Sequence, residues 1–156
     1  MRKKSAKKKI LLPDPKFGNT TVTRFVNNLM FDGKKSTAFK VFYTAIENIS
    51  LKIQDEEGLV VFEKALENVM PHVEVRSKRI GGATFQIPHP VREDRRVSLG
   101  MKWMIAAARK RNEKTMDAKL SAELMAAYKE EGAAYKKKQD THRMAEANKA
   151  FSHFRF

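Results

Sequence analysis

The apolar positions of this chain repeat with helical spacing over most of its length and switch to strand spacing once. Val22, Phe25, Val26, Leu29 and Met30 fall at i, i+3, i+4, i+7 and i+8, the signature of one helix face. Asn19 or Thr20 can cap the start of that helix, and Gly33 supplies a left-handed residue to end it. A second helix is predicted from about Ser36 to Ile53, with Ala38, Val41, Phe42, Ala45, Ile46, Ile49 and Ile53 inward. A third runs from about Glu56 to Met70, capped by Asp55 and stopped by Pro71; Leu59, Phe62, Leu66, Val69 and Met70 face in. A fourth, roughly Arg92 to Arg111, carries Val97, Met101, Met104, Ile105 and Ala108 as its stripe. A fifth, about Thr115 to Glu130, turns Met116, Leu120, Leu124 and Ala127 inward and ends at Gly132. The stretch from Tyr135 onward is helix-competent but weakly amphipathic, and it closes on Phe151, Phe154 and Phe156 interleaved with His153 and Arg155.

Strand spacing appears between the third and fourth helices. Val73 and Val75 are two apart, Phe85 and Ile87 alternate, and Gly81-Gly82 marks a turn. A two-residue turn would pair Lys78 with Phe85 and Arg76 with Ile87, mixing charged and apolar groups on one face. A three-residue turn over Ile80-Gly81-Gly82 pairs Val75 with Ile87 and Ser77 with Phe85 and gathers Arg76, Lys78, Thr84 and Gln86 on the other face. The second register is the expected one, because a one-residue slip moves every side chain across the ribbon. Pro88 and Pro90 are expected to end the strand, since proline cannot donate to a ladder. The fold class is thus mainly α, a single bundle of five to six helices with one protruding β-hairpin over about residues 73–88. Residues 1–16 read as a basic extension and residues 17–156 as one helical domain.

A chain of 156 residues without cysteine can bury enough surface to fold without a staple, and it suits a reducing compartment. The only apolar stretch near the start is Ile10-Leu11-Leu12. That is far short of the roughly 7–15 residues of a secretory signal or the ~20 of a spanning helix. The expectation is a soluble cytoplasmic protein with no membrane partner.

Charge sharpens this picture. The net charge is +14, and it is sorted along the chain. Residues 1–16 hold seven basic residues against one acidic, and residues 76–114 hold eleven against three. Residues 47–75 reverse the sign, with seven acids against two lysines. Self-repulsion in the basic stretches destabilises a compact state unless a polyanion sits against them. Nucleic acid is the first candidate, an acidic membrane surface the second and an acidic protein the third.

Catalytic chemistry is hard to find. His72, His89, His142 and His153 form no metal-ligating pair. Gly33-Lys34-Lys35 lacks the upstream glycine of a phosphate loop. Glu93 and Asp94 sit among arginines in a first helical turn, where the helix dipole favours acids. No metal and no cofactor is expected. Binding remains, with phosphates neutralised by lysine and arginine and unpaired bases stacked on aromatic rings. Packing is the plain role for Phe85 and Trp103, but the set Arg76, Lys78, Arg79, Arg92, Arg95 and Arg96 has few acids to compensate it.

Four blocks in order carry a family likeness: "NTTVTRFVNNLMFDGKKSTAFKVFYTA" (19–45), "VRSKRIGGATFQIP" (75–88), "MKWMIAAARKR" (101–111) and "HRMAEANKAFSHFRF" (142–156). Together they resemble the small-subunit ribosomal protein S-seven family of bacterial type, over nearly the whole chain. The resemblance implies a helical protein with a β-ribbon between the third and fourth helices. It implies a primary binder of the 3′ major domain of small-subunit rRNA that nucleates assembly of the subunit head. It further implies a monomer within the ribosome, at the subunit interface near the decoding region and the tRNA exit site. Exit-site tRNA and messenger lie nearby, small-subunit proteins nine and eleven are neighbours, and repression of its own messenger accompanies the role. By matching motif, Arg2, Lys3, Lys4, Lys34, Lys35, Arg76, Lys78, Arg79, Arg92, Arg95, Arg96, Lys102, Trp103, Arg109 and Arg111 become rRNA contacts. Arg79, Gly81, Gly82 and Arg143 become the exit-site surface. His89-Pro90 departs from the family's pattern, which has a more ordinary strand exit there.

Two rival readings stand beside this one. An architectural DNA-binding protein could use the ribbon as a minor-groove arm, with Ile80 or Pro88 as a wedge. An RNA-processing enzyme could use His89 with Glu93.

Overall fold

Phe25, Phe42 and Phe62 meet at the centre of the molecule, their ring centroids 5.1–5.6 Å apart. Each comes from a different helix, and the helical stripes of the sequence converge on them. The structure is a computed structural model describing residues 10–154. Its elements are α1 (Thr20–Leu29), α2 (Lys35–Lys52), α3 (Gly58–Val69), β1 (Val73–Ile80), β2 (Ala83–Pro90), α4 (Glu93–Arg109), α5 (Met116–Tyr128) and α6 (Gly132–Ala147). A 3-10 helix over Lys149–Phe154 follows.

The amphipathic stripes form the core as expected. Val22, Phe25 and Val26 of α1, Phe42, Ala45 and Ile49 of α2, Val61, Phe62 and Val69 of α3, and Leu120, Leu124 and Ala127 of α5 are all inaccessible to solvent. Helix α5 packs against α2, α3 and α4. Gly100 lets α4 approach α3 closely, for a Cβ there would lie 3.0 Å from Met70 Cγ and 3.2 Å from Leu66 Cδ1.

The N-terminal segment is tied to this body by Asp14, which is buried. One carboxylate oxygen accepts the backbone N–H groups of Lys16 (3.1 Å) and Phe17 (2.9 Å), and the other accepts the Tyr43 hydroxyl at 2.6 Å. Desolvation and this acidic partner push the Tyr43 phenol up to about 12. Asn19 caps α1 as expected, accepting the Thr21 N–H at 2.8 Å. Asp55 caps nothing: α3 begins at Gly58 with Glu57 before it, and no side chain closes its first turn. Gly33 has the expected positive φ of 73° but lies beyond the end of α1, in the loop to α2.

The hairpin adopts the two-residue-turn register and not the expected three-residue one. Ile80 pairs with Ala83, Lys78 with Phe85 and Arg76 with Ile87, around a two-residue Gly81-Gly82 turn. Both glycines have positive φ, 56° and 90°, as the primed two-residue turns demand, and those turns match the twist of the flanking strands. The mixed face that argued against this register is compensated locally. Glu74, two residues before Arg76 on the same face, binds it, while Phe85 lies against Phe151 and Phe154 of the terminal 3-10 helix, 5.1 and 5.9 Å between centroids. The prolines do not end β2, which continues to Pro90. With Ile80 and Ala83 closing the turn, alternation puts Pro88 and Pro90 in non-hydrogen-bonded pairs, where a missing N–H costs the ladder nothing.

Candidate nucleic-acid interface

The cations marked by the sequence fall along α4 and what flanks its two ends. A 17-residue helix is about 25 Å long. At its start stands the base of the ribbon. Glu74, 8% exposed, accepts Arg76 Nε at 2.8 Å on one oxygen and Arg95 Nε at 2.8 Å on the other. Burial would raise this carboxyl, but the hydrogen bonds from Arg76 and Arg95 outweigh it and hold the group below its ordinary value. Ribbon and α4 are thereby clamped together with both guanidinium groups half outside, side-chain exposures being 58% and 50%. Arg92, just ahead of α4, is exposed, and so are Arg79, Gly81 and Gly82 at the tip of the ribbon; Lys78 is half-buried. Arg96 donates to Glu93 at 2.9 Å and is mostly covered.

Midway along α4, Lys102 is exposed and Trp103 is half-buried against the core. The indole faces α6, where the Lys137 ammonium lies 5.8 Å from its ring centroid. A small cavity of about 140 Å³ opens there between Trp103, Ala107, Lys110 and Lys137. Nearby, Lys138 donates to the Asn68 carbonyl at 2.7 Å, and burial lowers its pKa. His142, one turn along α6, accepts the His72 backbone N–H at 3.1 Å through Nε2, joining α6 to the residue before β1. Burial, then the charge of Lys138 and of His72, lowers the His142 pKa, consistent with a neutral acceptor. Arg143 on the same helix is exposed.

At the far end of α4, Arg109 donates to the Leu29 carbonyl at 3.2 Å, and its guanidinium carbon lies 3.9 Å from the Phe31 ring centroid. Lys34 and Lys35 are exposed in the same neighbourhood. Arg111 is placed differently from its neighbours. Its Nε donates to Glu123 at 2.7 Å and its Nη1 to Glu113 at 3.3 Å. Glu123 is 1% exposed and its other oxygen accepts the Ala134 N–H at 2.9 Å, so Arg111 helps seat α6 on α5. Arg2, Lys3 and Lys4 lie outside the described residues.

Sequence reasoning missed Glu74 and Lys137. Strand alternation does put Glu74 and Arg76 on one face, so that pair was within reach once β1 was recognised. Lys137 could not be tied to Trp103 without knowing that α6 returns along α4.

A helical body, a basic ribbon and a basic helix with an indole on its flank define a binding scaffold that presents cations in three settings. Among the described residues no helix is long and apolar enough to cross a membrane. The family model for ribosomal protein S7p/S5e matches residues 1–149. The chain is 67% identical to the small ribosomal subunit protein uS7 of Christiangramia forsetii, 62% identical to that of Cytophaga hutchinsonii and 54% identical to that of Porphyromonas gingivalis. All three alignments cover both chains in full. The chain belongs to the ribosomal protein S7p/S5e family, and is a structural, non-enzymatic ribosomal protein. This removes the reading in which His89 and Glu93 process RNA.

Proposed function

We propose that this protein is a primary rRNA-binding protein of the small ribosomal subunit. In this reading it binds the 3′ major domain and nucleates assembly of the subunit head. The observation that carries the reading is the clamp at Glu74, which ties Arg76 of the ribbon to Arg95 of α4. A flexible hairpin would spend ordering entropy on every contact; a hairpin held at its base presents its cations at a fixed angle to those of α4. Ribbon base, α4 and the Lys34-Lys35 loop then act as one surface, with Arg92, Lys102 and Arg109 between its ends. The exposed tip at Arg79, Gly81 and Gly82, with Arg143 on α6, reaches toward exit-site tRNA and messenger near the decoding region. Small-subunit proteins nine and eleven are the expected neighbours, and repression of its own messenger follows if that messenger imitates the rRNA site.

The test is a salt titration of binding to a folded fragment of the rRNA head domain, with duplex DNA of equal length as competitor. Selective binding that survives physiological salt is expected, since shape-specific contacts persist after counterion release has weakened the rest. Equal competition by the duplex would favour the minor-groove reading of the ribbon and defeat this one.

A further inference from the structure

On the acidic stretch of the chain, a groove of about 500 Å³ opens between the second half of α2 and the start of α3, with Phe17, Ile46, Glu47, Leu51, Glu57 and Leu59 among its lining. Its floor is apolar and each wall carries an acid, Glu47 from α2 and Glu57 from the residue before α3. Leu51 is 76% exposed at its edge. The surrounding stretch, residues 47–75, holds seven acids against two lysines, so a phosphate backbone is repelled where the cationic surface attracts it.

One basic side chain already docks here. The Lys16 ammonium, delivered by the Asp14 turn, lies 2.9 Å from Glu47 Oε1 and 5.2 Å from the Tyr43 ring centroid. Its stem lines the groove. An acid beside apolar surface, the setting that holds Lys16, recurs in the same groove at Glu57 with Leu51 and Leu59.

We infer that this groove is a docking site for a basic, extended segment of a neighbouring protein in the assembled subunit, its lysine or arginine stems laid along Leu51 and Leu59 and a cation on Glu57. Charge complementarity selects this occupant, because an exposed leucine flanked by carboxylates suits a side chain that is apolar along its stem and cationic at its tip.

The test places a photo-crosslinking benzoylphenylalanine at Leu51 in the full chain, within small subunits purified by sedimentation, and identifies the adduct by mass spectrometry. The expected product joins Leu51's position to a lysine- or arginine-rich segment of another subunit protein. Adding Glu57→Lys should lower its yield about tenfold, the equivalent of ~1.4 kcal/mol, with the circular dichroism and thermal midpoint of the free protein unchanged. An adduct to rRNA, an adduct to residues 1–9 of the same chain, no adduct, or a yield indifferent to Glu57→Lys would each overturn the proposal. Failure here leaves the rRNA titration untouched, because none of the groove's residues belongs to the cationic surface.

Discussion

The three-phenylalanine core and the ribbon are held by different forces, although they adjoin in one small molecule. The core is closed by rings from α1, α2 and α3 with no accessible surface, so its stability comes from burial and dispersion, which neither salt nor mild acid removes. The ribbon has only two strands, too few to stand alone in water. It depends on one carboxylate shared by two arginines at its base, on the buried Ile87 beneath α6, and on Phe85 lying against the 3-10 helix. The body closes on its own rings, whereas the ribbon is seated on α6 and the 3-10 helix and runs out to an exposed tip.

The sharpest way to break the comparison is at the core. Phe62→Ala removes a fully buried ring touching both other phenylalanines and is expected to cost about 3–5 kcal/mol, measured by urea unfolding. Because that approaches the whole stability of an ordinary domain, RNA binding should fall with it. A loss under ~1 kcal/mol would mean that the core is not where the body's stability resides.

An effect of about 1 kcal/mol is expected at the ribbon's base. Glu74→Gln loses the charge-assisted part of two hydrogen bonds, discounted because both arginines are about half exposed. Amide exchange in residues 73–90 should quicken while that of α1–α3 stays as it was. The pH dependence has a definite sign. The folded carboxyl lies below its ordinary value, so its contribution is present above the ordinary carboxylate range and is lost as pH falls through the depressed folded value. Glu74→Gln should erase that acid-side loosening of the ribbon, and amide protection factors followed through an acid titration would reveal it.

Tyr43 tests the same contrast on the alkaline side. Its phenol is raised to about 12 by burial and by Asp14. The hydroxyl's hydrogen bond therefore stabilises fully below the ordinary tyrosine value near 10 and is lost as pH climbs through the folded value. Absorbance titration should show one tyrosine of three ionising late, and Tyr43→Phe should remove that late step. The stability cost is about 1 kcal/mol, borne by the segment around Asp14 rather than by the core.

How much of this was legible beforehand follows the same division. The stripes of α1 to α5 could be read, because helix periodicity reports burial directly and Phe25, Phe42 and Phe62 sit where i, i+3 and i+4 spacing puts them. Helix α6 buries only the small Ala134 and Ala145, and Gly132, expected to end the fifth helix, begins α6. The ribbon's existence was legible from Gly81-Gly82 and the alternation around it, but its register was not. Avoiding a mixed face is sound only when nothing else compensates it; Glu74, which pairs with Arg76, lies two residues away, but Phe151 and Phe154, which cover Phe85, are distant in sequence. Arg111 shows the same limit. Composition cannot tell a cation aimed outward from one paired with Glu123, which is buried only because α5 and α6 close over it.

The smallest expected effect is the most telling for the comparison. Phe85 is half-buried, and its aromatic partners among the described residues are Phe151 and Phe154 of the 3-10 helix, so Phe85→Ala should change global stability by less than about 0.5 kcal/mol. Locally it removes the contact that offsets the mixed face of the observed register. Exchange should then quicken in residues 80–87 and 149–154 together, and the Glu74 end of the ribbon should stay protected. Joint loosening of those two segments would establish that the end of the chain holds the outer ribbon while the carboxylate holds its base. If residues 149–154 loosen alone, the ribbon owes its outer half to its own ladder, and the glycine turn, not the phenylalanine cluster, sets the register.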